Sequence, residues 1–138
     1  MGSSPIPSLE RFFSGTREIP FTMKIVEKPW GREVWFAQTE YYVGKLIYIN
    51  KGHRLSRQYH KVKHETIYID RGELLLEIGE GDKVETLILK EGDVRVIAPG
   101  VVHRMYAKDS DVRLIEVSTP QVDDVVRLED DYGREDKR

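Results

Sequence analysis

From Val34 onward the apolar residues never repeat at helical spacing. Short runs of β-branched and aromatic residues follow one another instead, separated by Gly, Asp and Asn. The runs are EVWFAQ (33–38), YVGKLIYIN (42–50), RLSRQYH (54–60), ETIYIDRG (65–72), ELLLEIG (73–79), KVETLILK (83–90), DVRVIA (93–98), HRMYA (103–107) and VRLIEVS (112–118). Strands this short and this regularly spaced can bury a core only as an all-β sandwich or barrel. No connection is long enough for a crossover helix, so the pairing is expected to be antiparallel. GEGDK and KEGD read as tight turns. The 138 residues fit one domain. We place it at 23–138, behind an N-terminal extension over 1–22 in which SLERFF could form one helical turn against a partner. The acidic tail, DDVVRLEDDYGREDKR, could add a short strand or helix.

Composition narrows the chemistry. The chain has no cysteine, so disulfides and thiolate-bound zinc are excluded and any metal must be held by nitrogen and oxygen. Charged residues make up 33%, yet the net charge is −2, which gives no general attraction to nucleic acid or to a membrane surface. No apolar run approaches membrane-spanning length. The first residues lack the basic and apolar regions of a secretory signal, so a cytoplasmic location is expected.

Three of the four histidines fall in GHRLSRQYHKVKHETIYIDRG, from Gly52 to Gly72. Side chains alternate along a strand, so a continuous strand would point Arg54, Ser56, Gln58 and His60 to one face. That set suits a polar pocket better than an apolar core. Glu65 begins the returning strand, and His103 follows a Pro-Gly turn much later in the chain. Two imidazoles and a carboxylate make a set suited to a divalent ion such as Zn, Mn, Fe or Ni, with the Gln58 amide oxygen as a weaker fourth ligand. Isolated histidines at strand ends are commonly solvent-exposed, and from the residues alone His53 and His64 are read that way.

The spacing of Gly52, Gln58, His60, Glu65 and Gly72 resembles the first motif of the cupin family, with Gln in place of its first His. GDVRVIAPGVVH (92–103) resembles the second, with the Pro one residue nearer the Gly. The resemblance implies a double-stranded β-helix, or jelly-roll barrel, with Gln58, His60, Glu65 and His103 as metal ligands. It also implies a homodimer.

KPWG (28–31), RLS-QYH (54–60), IEV (115–117) and DDVVRLEDDYGR (123–134) are similar, more narrowly, to segments of the type II mannose-6-phosphate isomerases. That similarity implies a metal-dependent isomerase acting on a sugar phosphate, with Arg54, Ser56, Lys63 and Arg104 as candidates for substrate binding. Lys63, His64 and Glu65 are the candidates for proton transfer. Where that family reads H-H-R-A-E-H-W after its conserved His, this chain reads Lys61-Val62-Lys63-His64-Glu65-Thr66-Ile67. Lysine replaces the arginine, a point charge in place of a planar fork. The alternatives are another metal cupin enzyme, such as an epimerase, lyase or dioxygenase, and a sugar-phosphate-binding module without catalysis.

Overall fold

Inward-facing Val, Ile, Leu and Met at every second position give two antiparallel sheets their shared core. The computed structural model describes residues 23–136. The expectations for the 1–22 extension lie outside the described residues. Among the described residues there are twelve strands and no helix, so none that could cross a membrane.

The first sheet has the order β1-β2-β3-β11-β6-β9. Its strands are β1 (Lys24–Lys28), β2 (Gly31–Gln38), β3 (Val43–Ile49), β6 (Glu65–Arg71), β9 (Val94–Ile97) and β11 (Val112–Ser118). The second has the order β12-β5-β10-β7-β8, and β4 pairs with β10 beside it. Its strands are β4 (His53–Arg54), β5 (Arg57–Tyr59), β7 (Leu74–Ile78), β8 (Glu85–Leu89), β10 (His103–Ala107) and β12 (Val126–Glu129). Ile47, Ile49, Ile67, Ile69 and Leu114 from the first sheet meet Leu74, Leu76, Met105 and Ala107 from the second. The all-β jelly-roll expectation is met.

Two details differ from the sequence reading, and a third decides an alternative it left open. KIVEK, with three charged residues in five, forms edge strand β1 and pairs with β2 throughout. The acidic tail contributes β12, which closes the second sheet against β5. The expected strand over 54–60 is interrupted at Leu55 and Ser56, leaving β4 and β5 as separate short pieces. The alternation slips there. Leu55 and Gln58 both line the interior cavity, while Arg54 and Arg57 bind acidic residues on the outer side. On that outer face Arg54 and Arg104 share Asp131, and Arg57 bridges Glu77 and Glu129. The C-terminal segment is thereby fastened across the back of the second sheet.

The two glycines that frame the first motif have different physical roles. Gly52 and Gly72 have φ of +85° and +87°, a conformation that L side chains adopt only with strain. A Cβ on Gly52 would meet nothing within 4 Å, whereas one on Gly72 would lie 2.1 Å from the Asp111 carbonyl oxygen. Gly52→Ala should therefore cost about 1 kcal/mol from strain alone, and Gly72→Ala about 3 kcal/mol or more. Urea unfolding midpoints at unchanged m-value measure the difference; equal losses would refute the steric account.

Candidate metal centre

The interior cavity, of about 550 Å³, opens between the inner face of the first sheet and the end of the second. Its floor comes from alternate residues of β1, β2, β3, β6 and β11. Charge replaces hydrocarbon there at Lys24, Lys28, Glu33, Lys45, Glu65 and Glu116. Gln58 and His60, from and just after β5, line the opposite side, and the turn that follows delivers Lys63.

His60, Glu65 and His103 are brought together as the spacing predicts, and all three are buried. One donor atom from each lies within 4.8 Å of the other two. Glu65 Oε1 is 3.7 Å from His60 Nε2 and 3.5 Å from His103 Nε2. Donors around a tetrahedral ion with bonds of about 2.0–2.1 Å stand about 3.4 Å apart, so small adjustments would enclose one.

Each imidazole is already oriented. His60 Nδ1 lies 2.6 Å from the Asp124 carbonyl oxygen, and His103 Nδ1 lies 2.9 Å from that of Val101. A carbonyl can only accept, so Nδ1 carries a proton in both rings and Nε2 is the ring atom left facing inward, free to offer a lone pair to a metal. Both Nε2 atoms are buried without a hydrogen-bond partner among the described residues. Two orphaned lone pairs beside a carboxylate are what a divalent cation would satisfy, and fixing the second ring nitrogen is how proteins prepare histidine for that role. Gln58 stands directly opposite His103 in the β5–β10 pair and lines the cavity, which suits it as a fourth ligand.

Lys63 is buried rather than displayed. Its Nζ lies 3.0 Å from Glu65 Oε2 and 3.0 Å from Glu116 Oε2, short ion-pair contacts. Burial works against its charge, but Glu116 and Glu65 outweigh it and raise its pKa above the usual lysine value. Burial would likewise push the Glu65 carboxyl up, yet His103, His60 and Lys63 hold it well below the usual carboxylate range. Glu116 goes the other way. Burial, reinforced by the charge of Glu65, pushes its carboxyl up against the pull of Lys63 and Lys45.

Of the remaining expected site residues, Arg54 and Arg104 lie off the cavity. Arg54 makes a bidentate pair with Asp131, and buried Arg104 donates to Leu55 O and Asp131. The slip at Leu55 and Ser56 turns Arg54 outward, and alternation from inward His103 turns Arg104 the same way. Ser56 is buried in a small cleft adjoining the cavity. His64 is exposed and does not line the cavity; its backbone pairs with Thr119.

Glu116, Lys45 and Glu33 were not singled out as site residues, although the signal was present. Each falls on the apolar phase of its strand, as Glu116 does beside Leu114. Trp35 Nε1 donates to Glu33, whose carboxylate pairs with Lys45 at 3.4 Å. The indole ring lies between the ammonium groups of Lys24 and Lys45, 4.3 and 4.2 Å from its centre.

A two-sheet barrel whose inner face carries a His-Glu-His set able to hold a metal ion defines the class of this protein. The cupin domain family matches residues 45–118, and the chain belongs to the cupin family. No curated protein matches the sequence. Solved structures agree in fold. The capsular polysaccharide assembling protein CapF from Staphylococcus aureus superposes with a TM-score of 0.69 at 16% identity, covering 78% of this chain and 34% of that one. An uncharacterized conserved protein with a double-stranded β-helix domain from Klebsiella pneumoniae gives 0.61 at 19%, covering 92% and 99%. Oxalate decarboxylase from Bacillus subtilis gives 0.64 at 17%, covering 79% and 30%. The chain thus spans about a third of CapF and of oxalate decarboxylase.

Two expectations follow. Purified protein should take up one divalent ion per chain by elemental analysis, and His60→Ala or His103→Ala should abolish uptake. Free metal at a hundred times its Kd should stabilise the wild type by about 2.7 kcal/mol and leave those variants unmoved. Asp124 generates the second. Its carboxylate accepts the backbone N–H groups of Lys61, Val62 and Lys63. Burial is the largest single influence and pushes the carboxyl up, but the three bonds together outweigh it and lower its pKa from 3.8 to about 2. A depressed carboxyl contributes stability above its unfolded pKa and loses it as pH falls through the folded one. Between about pH 4 and 2 the wild type should lose about 1 kcal/mol more than Asp124→Asn, after allowance for solvent screening. Superimposable acid-unfolding curves would rule this out.

Proposed function

We propose that this cupin is a metal-dependent aldose–ketose isomerase acting on a sugar phosphate, with mannose 6-phosphate and fructose 6-phosphate as the first pair to test. The observation that carries the reading is a polar cavity in which the His-Glu-His set stands beside a buried ammonium and a buried carboxyl of raised pKa. The similarity to type II mannose-6-phosphate isomerases over several segments favours this pair. A divalent ion held by Gln58, His60, Glu65 and His103 would supply Lewis-acid polarisation of the sugar's C1 and C2 oxygens.

The chain's own groups divide the remaining work by charge. Lys63, with its pKa raised, stays protonated at neutral pH and cannot act as a base. It presents positive charge where negative charge develops on oxygen. Glu65 is held anionic and serves as an acceptor. Glu116 is the cavity carboxyl outside the ligand set whose proton affinity is raised toward working pH. It is therefore the group suited to take a proton from C2 and return it at C1. Exposed His64 is not assigned a step.

The test is an assay of the metal-loaded protein, with Zn, Mn, Fe or Ni, for interconversion of the two sugar phosphates and for exchange of the C2 hydrogen with deuterated solvent. Glu116→Gln should lower kcat about a hundredfold or more at unchanged metal content. Absence of turnover with every metal would overturn the assignment for this pair. The altered segment 61–64 favours one second reading, a binding module, which sugar-phosphate binding without C2 exchange would select.

A further inference from the structure

The charges in the cavity are not evenly matched. Glu33 is engaged by Lys45, and Glu65 and Glu116 by Lys63. Among the described residues, Lys24, Lys28 and Arg127 form no salt bridge. The remaining acidic residue in the lining is exposed Asp123. Lys28 comes from the inner face of β1 and Arg127 from β12, on opposite sheets. Both are partly buried, and both line the main cavity and the small cleft of about 50 Å³ that continues from it past Ser56. Gln58 lines the same two spaces, so the metal set and this cationic end belong to one continuous site.

Holding like charges together without a counter-charge is unfavourable. Burial is the main influence lowering the pKa of Lys28; Glu33 opposes it, and Arg127, Lys45 and Arg134 add repulsion. Arg134 is itself committed to Asp130 through a bidentate pair. An anion between Lys28 and Arg127 would relieve the repulsion and accept charge-assisted hydrogen bonds from both.

We infer that Lys28 and Arg127, with Lys24 at the rim beside Trp35, form an anion subsite that holds the charged group of a sugar ligand while its carbonyl end faces His60, Glu65 and His103. This inference rests on the reading of the cavity as a sugar site. It moves the charge recognition expected of Arg54 and Arg104 to two residues on different strands.

Calorimetry on the full chain, with mannose, mannose 6-phosphate and glucuronate as probes, tests it. Quenching of tryptophan fluorescence reports occupancy near Trp35. The wild type should bind at least one of the anionic sugars at least tenfold more tightly than mannose, with an advantage that shrinks as salt rises. Lys28→Ala and Arg127→Ala should each remove about tenfold of that advantage. Lys28→Arg should retain it, and metal content and thermal midpoint should stay near wild type in all three. Preference for glucuronate alone would support the subsite while overturning the sugar-phosphate reading. Binding of mannose 6-phosphate that depends on Lys28 and Arg127 without turnover would support the subsite and overturn the isomerase. Turnover with a KM unchanged in both alanine variants would overturn the subsite and leave the isomerase standing. Failure of the wild type to prefer either anionic sugar over mannose would overturn the subsite.

Discussion

The buried carboxylate of Glu65 is the charge around which the barrel is arranged. It sits at the start of β6 with 2% of its surface exposed, where an unpaired anion would cost several kcal/mol. Two imidazoles and one ammonium surround it, drawn from the end of β5, the start of β10 and the turn after His60. His60 and Lys63 lie just before it in the chain, whereas His103 is distant in sequence, so the jelly-roll crossing between sheets is what brings that last ligand in. The compensation is incomplete. Lys63 is shared with Glu116, and each imidazole turns its Nδ1 to a backbone carbonyl and leaves its Nε2 without a hydrogen-bond partner among the described residues. One ammonium faces two buried carboxylates, so this corner of the cavity is short of positive charge even though Lys28 and Arg127 line its other end. A divalent ion at the orphaned Nε2 atoms would correct that deficit.

Asp124 links this arrangement to the second sheet. Its backbone carbonyl orients His60, and its carboxylate caps the N–H groups of residues 61, 62 and 63. One residue therefore fixes both a ligand ring and the turn that places Lys63. Two positions further on, β12 begins and carries Arg127 into the cavity wall. Beyond β12 the chain folds over the back of the second sheet, where Asp131 pairs with Arg54 and Arg104. The acidic ending is thus a structural strap on its outer side and a contributor to the site on its inner side.

Much of this was legible in the sequence because alternation leaves a strong trace in half-buried strands. YVGKLIYIN, ETIYIDRG and VRLIEVS all became strands within a residue or two of their apparent limits. His60, Glu65 and His103 were legible for a different reason: a ligand set depends on a fixed spacing around a tight fold, and spacing is visible in one dimension. Arg54 was misplaced because period-two reasoning assumes an unbroken strand, and the irregularity at Leu55 and Ser56 shifts the phase. KIVEK escaped because a strand lining a polar cavity exchanges the apolar half of its alternation for lysine. The same exchange hid Lys45 and Glu116, which occupy core phase in VGKLIYI and VRLIEVS. A charged residue on the apolar phase was the available signal, and at Glu33, Lys45, Glu65 and Glu116 it marks the cavity.

Lysine rather than arginine at position 63 suits this setting. A guanidinium carries a flat, extended fork that reaches two partners in one plane. The space between Glu65 and Glu116 admits a compact ammonium at 3.0 Å from each, with 7% of the side chain exposed. So placed, Lys63 is occupied with neutralising buried carboxylates and is not available to grip an external anion. Any anionic group on a ligand must then be met by cations that have no such obligation. Those cations lie on β1 and β12, the two strands least apparent in the sequence. The turn that delivers Lys63 and the cationic end of the cavity thus fit one division of labour: residue 63 keeps Glu65 and Glu116 inside, and the proposed anion recognition falls to Lys28 and Arg127.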